Sequence, residues 1–205
     1  MIMYEKDKII YRDAIWQHAA VTKELRNKQN NHKSFALWFT GLPCSGKTTL
    51  SNAIEEILFQ KKIKTFGIDG DNIRFGLSSN LGFSEKDRKE NIRRTGEVVK
   101  LMLEAGVVTL VAMISPYRED RKMVRSMLDG EFVEIYCKAK LKSCEARDVK
   151  GLYKKARNNE IKNYTGISSP YEYPETPELI IDTDVYTIEE SVKLVLNLLQ
   201  DKKYL

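Results

Sequence analysis

Residues 41–48 read GLPCSGKT and match the pattern G-x-x-x-x-G-K-[ST] at every fixed position. An apolar run, Phe35–Phe39, precedes the match, and a helix-like run, Thr49–Gln60, follows it. This order of strand, glycine-rich loop and helix is typical of a P-loop, whose backbone N–H groups and helix N-terminus form a positive cradle for phosphate. The sequence therefore predicts a nucleotide phosphate site.

Two side chains of this loop are expected to contact the nucleotide and its metal ion directly. Lys47 is long enough to reach the β- and γ-phosphates of a nucleotide, and the Thr48 hydroxyl can ligate Mg²⁺. The residues expected to surround the phosphates are Gly41, Leu42, Pro43, Cys44, Ser45, Gly46, Lys47, Thr48 and Thr49.

The composition is that of a globular protein, with 42% hydrophobic and 31% charged residues in 205. The net charge of +5 is spread along the chain and interleaved with acidic residues, so we expect anionic small molecules as partners and no nucleic acid. No run approaches the roughly 18 apolar residues of a membrane span, and the first residues lack the layout of a signal peptide. We expect no membrane partner and a cytoplasmic location.

The three cysteines are an odd number with no zinc-site spacing, and we expect all of them to be reduced. Cys44 lies near the start of the predicted helix, where a thiol can gain thiolate character. The alternative is that Cys44 is simply a small residue that the loop tolerates.

Apolar runs alternate with helical patterns along the rest of the chain, as in a parallel sheet covered on both faces. We expect an α/β protein of the P-loop NTPase and kinase class, a three-layer αβα fold with a central parallel sheet and a mobile lid. Residues 1–34 are predicted to be an N-terminal arm with a short helix near Val21–Gln29. Residues 35–205 are predicted to be the kinase domain, with the lid at about 150–169. The strand after the middle helix is predicted at Val107–Ile114.

Polar residues follow the second and central strands, at the edge where parallel α/β sheets bind ligands. Asp69 and Asp71 flank a glycine there, and two carboxylates can serve Mg²⁺ and an acceptor hydroxyl. A plain polar turn is the alternative. Ser115 closes the central strand, so its hydroxyl is expected at the same edge, with a cap or turn serine as the alternative.

A predicted helix capped by Ser84 separates an apolar face from a polar one. The polar face carries Arg88 and Asn91 and is expected to be free to point at a ligand. Arginine forks suit phosphate-like oxygens, and Arg74 lies close in sequence. Phe83 and Tyr164 occur in loop-like contexts, where aromatic rings stack on a base.

Several long stretches together resemble the adenylylsulfate kinase (APS kinase) family. The most specific is Leu81–Arg94, LGFSEKDRKENIRR, and the others are Leu37–Leu42, Asp69–Arg74, Ile114–Arg118, Cys144–Asp148, Gly151–Arg157 and Tyr164–Ile167. The similarity runs from about Trp16 to the C-terminal helix.

The resemblance implies transfer of the ATP γ-phosphate to the 3′-hydroxyl of adenylyl sulfate (APS), giving 3′-phosphoadenylyl sulfate (PAPS) and ADP in sulfate assimilation. It implies Mg²⁺ as a cofactor and a homodimer. The implied catalytic residues are Lys47, Asp69, Asp71 and Ser115, with Thr48 and Asp69 at the metal. Arg147 joins the ATP-binding residues. The implied substrate-binding residues are Asp71, Arg74, Phe83, Arg88, Asn91, Ile114, Ser115, Lys150, Leu152 and Tyr164.

Within this resemblance, Asp71 is favoured for orienting or deprotonating the hydroxyl, and Asp69 for the metal–water shell. Phe75–Asn80 reads FGLSSN where the family commonly has HGLNRD, and Pro43-Cys44 replaces small residues. These departures keep two alternatives open: a related kinase for another nucleotide anhydride, or a non-catalytic nucleotide-binding module.

Overall fold

The structure, a computed structural model, describes residues 17 and 19–205. Its elements, in chain order, are α1 (Lys23–Asn30), β1 (Ala36–Thr40), α2 (Lys47–Gln60), β2 (Thr65–Asp69), α3 (Gly70–Ile73), α4 (Glu85–Glu104), β3 (Val108–Ala112), α5 (Arg118–Met127), β4 (Phe132–Lys138), α6 (Leu141–Ala146), α7 (Leu152–Arg157), β5 (Leu179–Asp182) and α8 (Ile188–Asp201). None of the helices in this described part is long and apolar enough to cross a membrane.

The five strands form one parallel sheet in the order β2-β3-β1-β4-β5. On the central strand, Leu37 is in register with Leu110 of β3 and Val133 of β4. Parallel neighbours need crossover connections, and the helices that make them cover both faces of the sheet. The predicted three-layer αβα fold is confirmed, and the carboxyl ends of all strands lie at one edge.

Strand β1 is buried along its whole length because its side chains alternate between two cores. Phe35, Leu37 and Phe39 pack with α2 and α8 on one face of the sheet. Ala36 and Trp38 pack with α4 and α5 on the other face. Each fully buried large side chain contributes about 1.5–3 kcal/mol relative to an exposed one, so β1 holds the three layers together.

Strand β3 spans Val108–Ala112 and is shorter than the prediction of 107–114. Met113 still donates its N–H to the carbonyl of Phe39 at 3.2 Å, and the chain turns at Ser115, whose backbone is left-handed with φ of 45°. Helix α4 agrees with its prediction, since Ser84 caps it by accepting the N–H of Asp87.

The expected lid, residues 150–169, contains a helix that the sequence analysis did not predict. Helix α7 occupies Leu152–Arg157, and Tyr153 and Ala156 are buried in a third small core. A helix of six residues spans fewer than two turns and is too short to show periodicity in the sequence.

The short helix expected in the N-terminal arm is present as α1, at the amino edge of the sheet. Lys23 pairs with Glu131 at 2.8 Å, and Asn30 Nδ2 donates to the carbonyl of Gly106 at 2.9 Å. These anchors precede β4 and β3, so α1 lies away from the P-loop. Residues 1–16 and 18 of the expected arm lie outside the described residues.

Asp120, in the first turn of α5, is only 2% exposed. Burial raises the pKa of its carboxyl from 3.8 to about 6; Lys89 opposes this shift and Glu119 supports it. The folded state therefore binds this proton more tightly than the unfolded chain does. The contribution of Asp120 to the free energy of unfolding should therefore fall as pH rises from 3.8 to about 6, and stay lower above that range.

We expect Asp120→Asn to raise the free energy of unfolding by about 1–3 kcal/mol near pH 7.5, and by much less near pH 4. Urea titrations at both pH values measure the difference. Asp201→Asn, which changes an exposed carboxylate at the end of α8, is the control and should give no pH-dependent gain. A gain for Asp120→Asn that is equal at both pH values would contradict this titration.

Candidate active site

The P-loop follows β1 and leads into α2, as predicted. A Cβ on Gly41 would lie 2.5 Å from the carbonyl oxygen of Cys137, so only glycine fits where the loop passes β4. Gly46 has φ of 89° and is the N-cap of α2, without a side-chain cap. The N–H groups of the first helical turn, including Thr48 and Thr49, are therefore available to an anion.

Lys47 is buried in the loop, with 8% of its surface exposed. Its Nζ donates to the carbonyl of Leu42 at 2.7 Å, and burial lowers the pKa of the ammonium group. No carboxylate pairs with Lys47 among residues 17 and 19–205. A buried cation held only by a carbonyl gains most from an anionic ligand.

Thr48, Asp69 and Asp71 come together at the carboxyl ends of β1 and β2. Thr48 Oγ1 donates to Asp69 Oδ2 at 2.7 Å, and the N–H of Asp71 donates to Asp69 Oδ1 at 2.8 Å. The second bond makes Asp69 the N-cap of α3. The segment after β2 is thus a helical turn, and Asp69 at its start is bonded to Thr48 in the first turn of α2.

Lys150 brings the lid segment to this acidic pair. Its Nζ bonds to Asp71 Oδ2, and this contact raises the pKa of Lys150. Both side chains are about two-thirds exposed, so the pair can separate at little cost. The carboxylate of Asp71 is therefore accessible to solvent and to a ligand.

Phe83 is 54% exposed and lies beneath two guanidinium groups. The Cζ of Arg74 is 4.3 Å and that of Arg88 is 5.5 Å from the ring centroid. Arg74 also donates to the carbonyl of Gly82 at 2.8 Å. Both cations thus lie over the ring, while more than half of the Phe83 surface remains exposed.

Arg88 and Asn91 are buried, at 8% and 3% exposure, so the expectation of an open polar face on α4 is wrong. Arg88 donates to the carbonyls of Phe83 at 3.1 Å and Asn163 at 2.8 Å. Burial lowers the pKa of Arg88. Residues far along the chain cover this face, which helical periodicity alone cannot indicate.

Asn91 carries a buried acceptor, because its Oδ1 has no hydrogen-bond partner in the part of the chain that the structure describes. An unpaired buried amide oxygen costs about 1–3 kcal/mol, so a ligand N–H at this point would be stabilising. The hydroxyl of Thr95, on the same helix, has a hydrogen-bond partner, since it donates to the backbone carbonyl of Asn91 at 2.8 Å.

Tyr164 and Leu152 pack in the third core, together with Leu42 of the P-loop. Tyr164 is 8% exposed and lies edge-to-face against Tyr153, with ring centroids 5.0 Å apart. Tyr153 in turn donates to the carbonyl of Pro43 at 3.0 Å. These contacts join the lid to the P-loop, so Tyr164 is mainly a packing residue in this state.

The suggestion of thiolate character at Cys44 is wrong. Burial and the neighbouring Asp148 raise the pKa of this thiol, and both outweigh the opposing charge of Lys47. Cys44 has φ of 60° and packs against the third core. All three cysteines are free thiols.

Ile114 and Ser115 follow the last residue of β3, Ala112, at the carboxyl edge of the sheet. The Ile114 carbonyl accepts from Thr40 Oγ1 at 2.7 Å. The Ser115 hydroxyl is buried, and its oxygen accepts the indole N–H of Trp38 at 2.9 Å. The serine is therefore held in place, with its oxygen already engaged.

Arg147 is connected to the P-loop by Thr183 and is also bonded to Asp184, two residues that the sequence analysis did not single out. It donates to the carbonyl of Thr183 at 2.8 Å and to Asp184 Oδ1 at 2.9 Å. Thr183 Oγ1 donates to the carbonyl of Ser45 at 3.1 Å. Thr183 and Asp184 directly follow β5 at the same edge of the sheet, and this position could have identified them from the sequence as candidate site residues.

Comparisons with curated proteins show similarity to one family of kinases. The adenylylsulphate kinase family profile matches residues 33–182. An adenylyl-sulfate kinase of Staphylococcus carnosus is 57% identical over 92% of this chain and 95% of its own length. One from Oceanobacillus iheyensis is 58% identical over 93% of this chain and 96% of its own length.

Solved structures of APS kinases also align with this chain. The Mycobacterium tuberculosis APS kinase, in complex with AMPPNP and APS, aligns with a TM-score of 0.79 at 41% identity, over 82% of this chain and 99% of that chain. A hexameric APS kinase from Thiobacillus denitrificans aligns with a TM-score of 0.66 at 32% identity, over 89% of this chain and 32% of that chain.

Proposed function

This chain belongs to the adenylylsulphate kinase family, and on that premise we propose that it transfers the γ-phosphate of ATP to the 3′-hydroxyl of adenylyl sulfate. The products are ADP and 3′-phosphoadenylyl sulfate. The observation that carries the proposal is the meeting of Lys47, the Thr48–Asp69 pair and Asp71 at one sheet edge.

Phosphoryl transfer needs positioning and charge neutralisation, and the P-loop supplies both. Lys47 exchanges the Leu42 carbonyl for phosphate oxygens and neutralises charge that develops on them. The N–H groups at the start of α2 hold the same phosphates. Arg147 and Thr183 border the loop on the side away from Asp69 and are assigned to the rest of ATP.

Asp71 is assigned to the acceptor hydroxyl. When adenylyl sulfate enters, Asp71 exchanges its contact with Lys150 for the 3′-hydroxyl and takes up the proton as the oxygen attacks. Lys150 is then free to approach the anionic phosphosulfate. Residues 150–169 act as the lid that excludes water around the transfer.

The residues near Thr48 fit Mg²⁺. One hydroxyl and one carboxylate suit an ion that keeps most of its waters and takes phosphate oxygens from the nucleotide. Within the described residues there is no cluster of three His, Cys, Asp or Glu side chains that could form an all-protein cage. Bound there, Mg²⁺ would neutralise phosphate charge, while Thr48 and Asp69 hold its position.

The remaining predicted residues are assigned to adenylyl sulfate. Phe83 offers its exposed ring to the adenine, and Tyr164 lines the opposite side once the lid rearranges. Asn91 Oδ1 is free to accept an adenine N–H. Arg74 and Arg88 supply positive charge for the phosphosulfate, with Ile114, Ser115 and Leu152 around the acceptor.

A substrate panel tests the proposal. We would mix the protein with Mg-ATP and adenylyl sulfate, or with other nucleotides and nucleotide anhydrides, and measure ADP release. Turnover with adenylyl sulfate alone is the expected result. Turnover only with a different anhydride would show that Ser78–Asn80 mark a changed pocket, and nucleotide binding without turnover would indicate a non-catalytic module.

Ser115→Ala separates direct transfer from a phosphoserine intermediate. We expect kcat to fall by less than about tenfold, because the buried Ser115 oxygen accepts from Trp38 and bonds to no carboxylate or histidine among the described residues. Quench-flow kinetics with labelled ATP measure both kcat and any phosphorylated protein. Complete loss of turnover in a folded variant, or a labelled wild-type serine, would contradict direct transfer.

A homodimer in the cytoplasm, serving sulfate assimilation, completes the proposal. The three free thiols suit a reducing compartment. The mass of the protein in solution, measured by light scattering, tests the dimer; a monomer or a hexamer would overturn it.

A further inference from the structure

The turn after β3 is held in an unfavourable conformation by side chains from elsewhere. Ser115 is left-handed, which costs a non-glycine residue about 1–2 kcal/mol. Trp38 donates to its hydroxyl, Arg121 donates to its carbonyl, and Thr40 donates to the carbonyl of Ile114. The geometry of this turn therefore depends on those three donors.

Arg121 contacts three separate parts of the chain through one guanidinium group. Its side chain is 3% exposed and pairs with Glu134 Oε1 of β4 at 2.8 Å, which balances the buried charge. One guanidinium nitrogen donates to the Ser115 carbonyl, and the other donates to the carbonyl of Glu172 at 2.7 Å. One cation thus joins β4, the turn and the segment that follows the lid.

The segment after the lid is also bonded directly to the turn. The N–H of Glu172 donates to the carbonyl of Pro116 at 2.8 Å, and Glu172 Oε2 accepts from the N–H of Arg118 at 2.7 Å. Tyr171 lies within hydrogen-bond distance of Thr40, and its ring is 5.8 Å from the Arg121 guanidinium. The turn and this segment therefore form one unit around Arg121.

We propose that Arg121 is a positioning residue for the acceptor substrate. It fixes the Ile114–Pro116 turn and joins that turn to the end of the lid, so that adenylyl sulfate meets a preorganised site. The inference rests on the proposed function, since it assigns the turn to the acceptor. None of the three bonds that Arg121 makes touches Gly41–Thr48, so ATP binding should not depend on them.

Arg125 provides a matched control, one helical turn further along α5. It pairs with the same carboxylate, at 3.2 Å from Glu134 Oε2, and with Glu178 at 2.7 Å. It has no hydrogen bond to Ser115 or Glu172 among the contacts of the described residues. Losing Arg125 therefore perturbs the Glu134 network without releasing the turn.

The test compares Arg121→Met, Arg121→Lys and Arg125→Met in steady-state kinetics with each substrate varied. We expect Arg121→Met to raise KM for adenylyl sulfate by about tenfold or more, and KM for ATP by less than about twofold. Arg121→Lys keeps the charge beside Glu134 but cannot span both carbonyls, so it should give a smaller rise. Arg125→Met should leave both values near those of the wild type.

Equal rises for the two substrates, or the same rise in Arg125→Met, would overturn the inference, because a general loss of stability gives that pattern. If Arg121→Met does not fold, Trp38→Phe removes a different bond to the same turn. Unchanged KM for adenylyl sulfate in both Arg121→Lys and Trp38→Phe would then overturn it. A wild-type protein that does not turn over adenylyl sulfate would refute the proposed function itself, whereas normal variants beside an active wild type would refute only this inference.

Discussion

Lys47→Met is expected to lower kcat by about 10³-fold or more while the protein stays folded. The methionine fills the same buried volume but removes the charge that faces the phosphates. Among the described residues, Lys47 donates to the Leu42 carbonyl and pairs with no carboxylate, so the substitution breaks no ion pair there. Steady-state kinetics with saturating Mg-ATP and adenylyl sulfate measure the effect, and urea titration checks stability.

Lys61→Met is the matched control, because this exposed lysine follows the same helix at its other end. It should leave kcat within about twofold of the wild type. A folded Lys47→Met variant with near-normal kcat would refute the role assigned to the buried lysine.

Asp71→Asn is expected to lower kcat by about 10²–10⁴-fold and to leave ATP affinity nearly unchanged. The amide keeps the shape of the side chain but cannot accept the proton of the attacking hydroxyl. Asp71 is linked to Thr48 through its backbone N–H, which donates to Asp69, and that bond survives the substitution. Single-turnover kinetics measure transfer, and a fluorescent ATP analogue measures binding.

The loss of the Lys150 contact is a competing explanation, since Asp71→Asn weakens that ion pair too. Lys150→Met removes the same pair while keeping the carboxylate. We expect Lys150→Met to raise KM for adenylyl sulfate and to lower kcat far less than Asp71→Asn does. An equal fall in kcat in the two variants would contradict a proton-accepting role for Asp71.

The features that local sequence determines were predictable. The glycines and the lysine of the P-loop are fixed by backbone geometry and by phosphate chemistry, and both are visible as spacing. The N-cap at Ser84 was likewise predictable, because capping needs only neighbouring residues. The parallel sheet followed from buried runs such as β1, whose two faces both meet helices.

The features that depend on distant parts of the chain were not predictable. Helical period separated the Arg88 face of α4 from its apolar face, but the covering carbonyl of Asn163 lies 75 residues away. The raised pKa of Cys44 likewise follows from burial against the lid rather than from the helix that it precedes. Arg121 was not singled out from the sequence, because the Ser115 and Glu172 carbonyls to which it donates become its neighbours only in the fold.

The most direct test of the account is the position of the transferred phosphate. The protein would be incubated with ATP labelled at the γ-phosphate and either adenylyl sulfate or its 3′-deoxy analogue, and the products separated and identified. The account predicts labelled 3′-phosphoadenylyl sulfate from the first and no labelled nucleotide product from the second. Label transferred to the 3′-deoxy analogue, or to neither compound by an active, folded preparation, would contradict it.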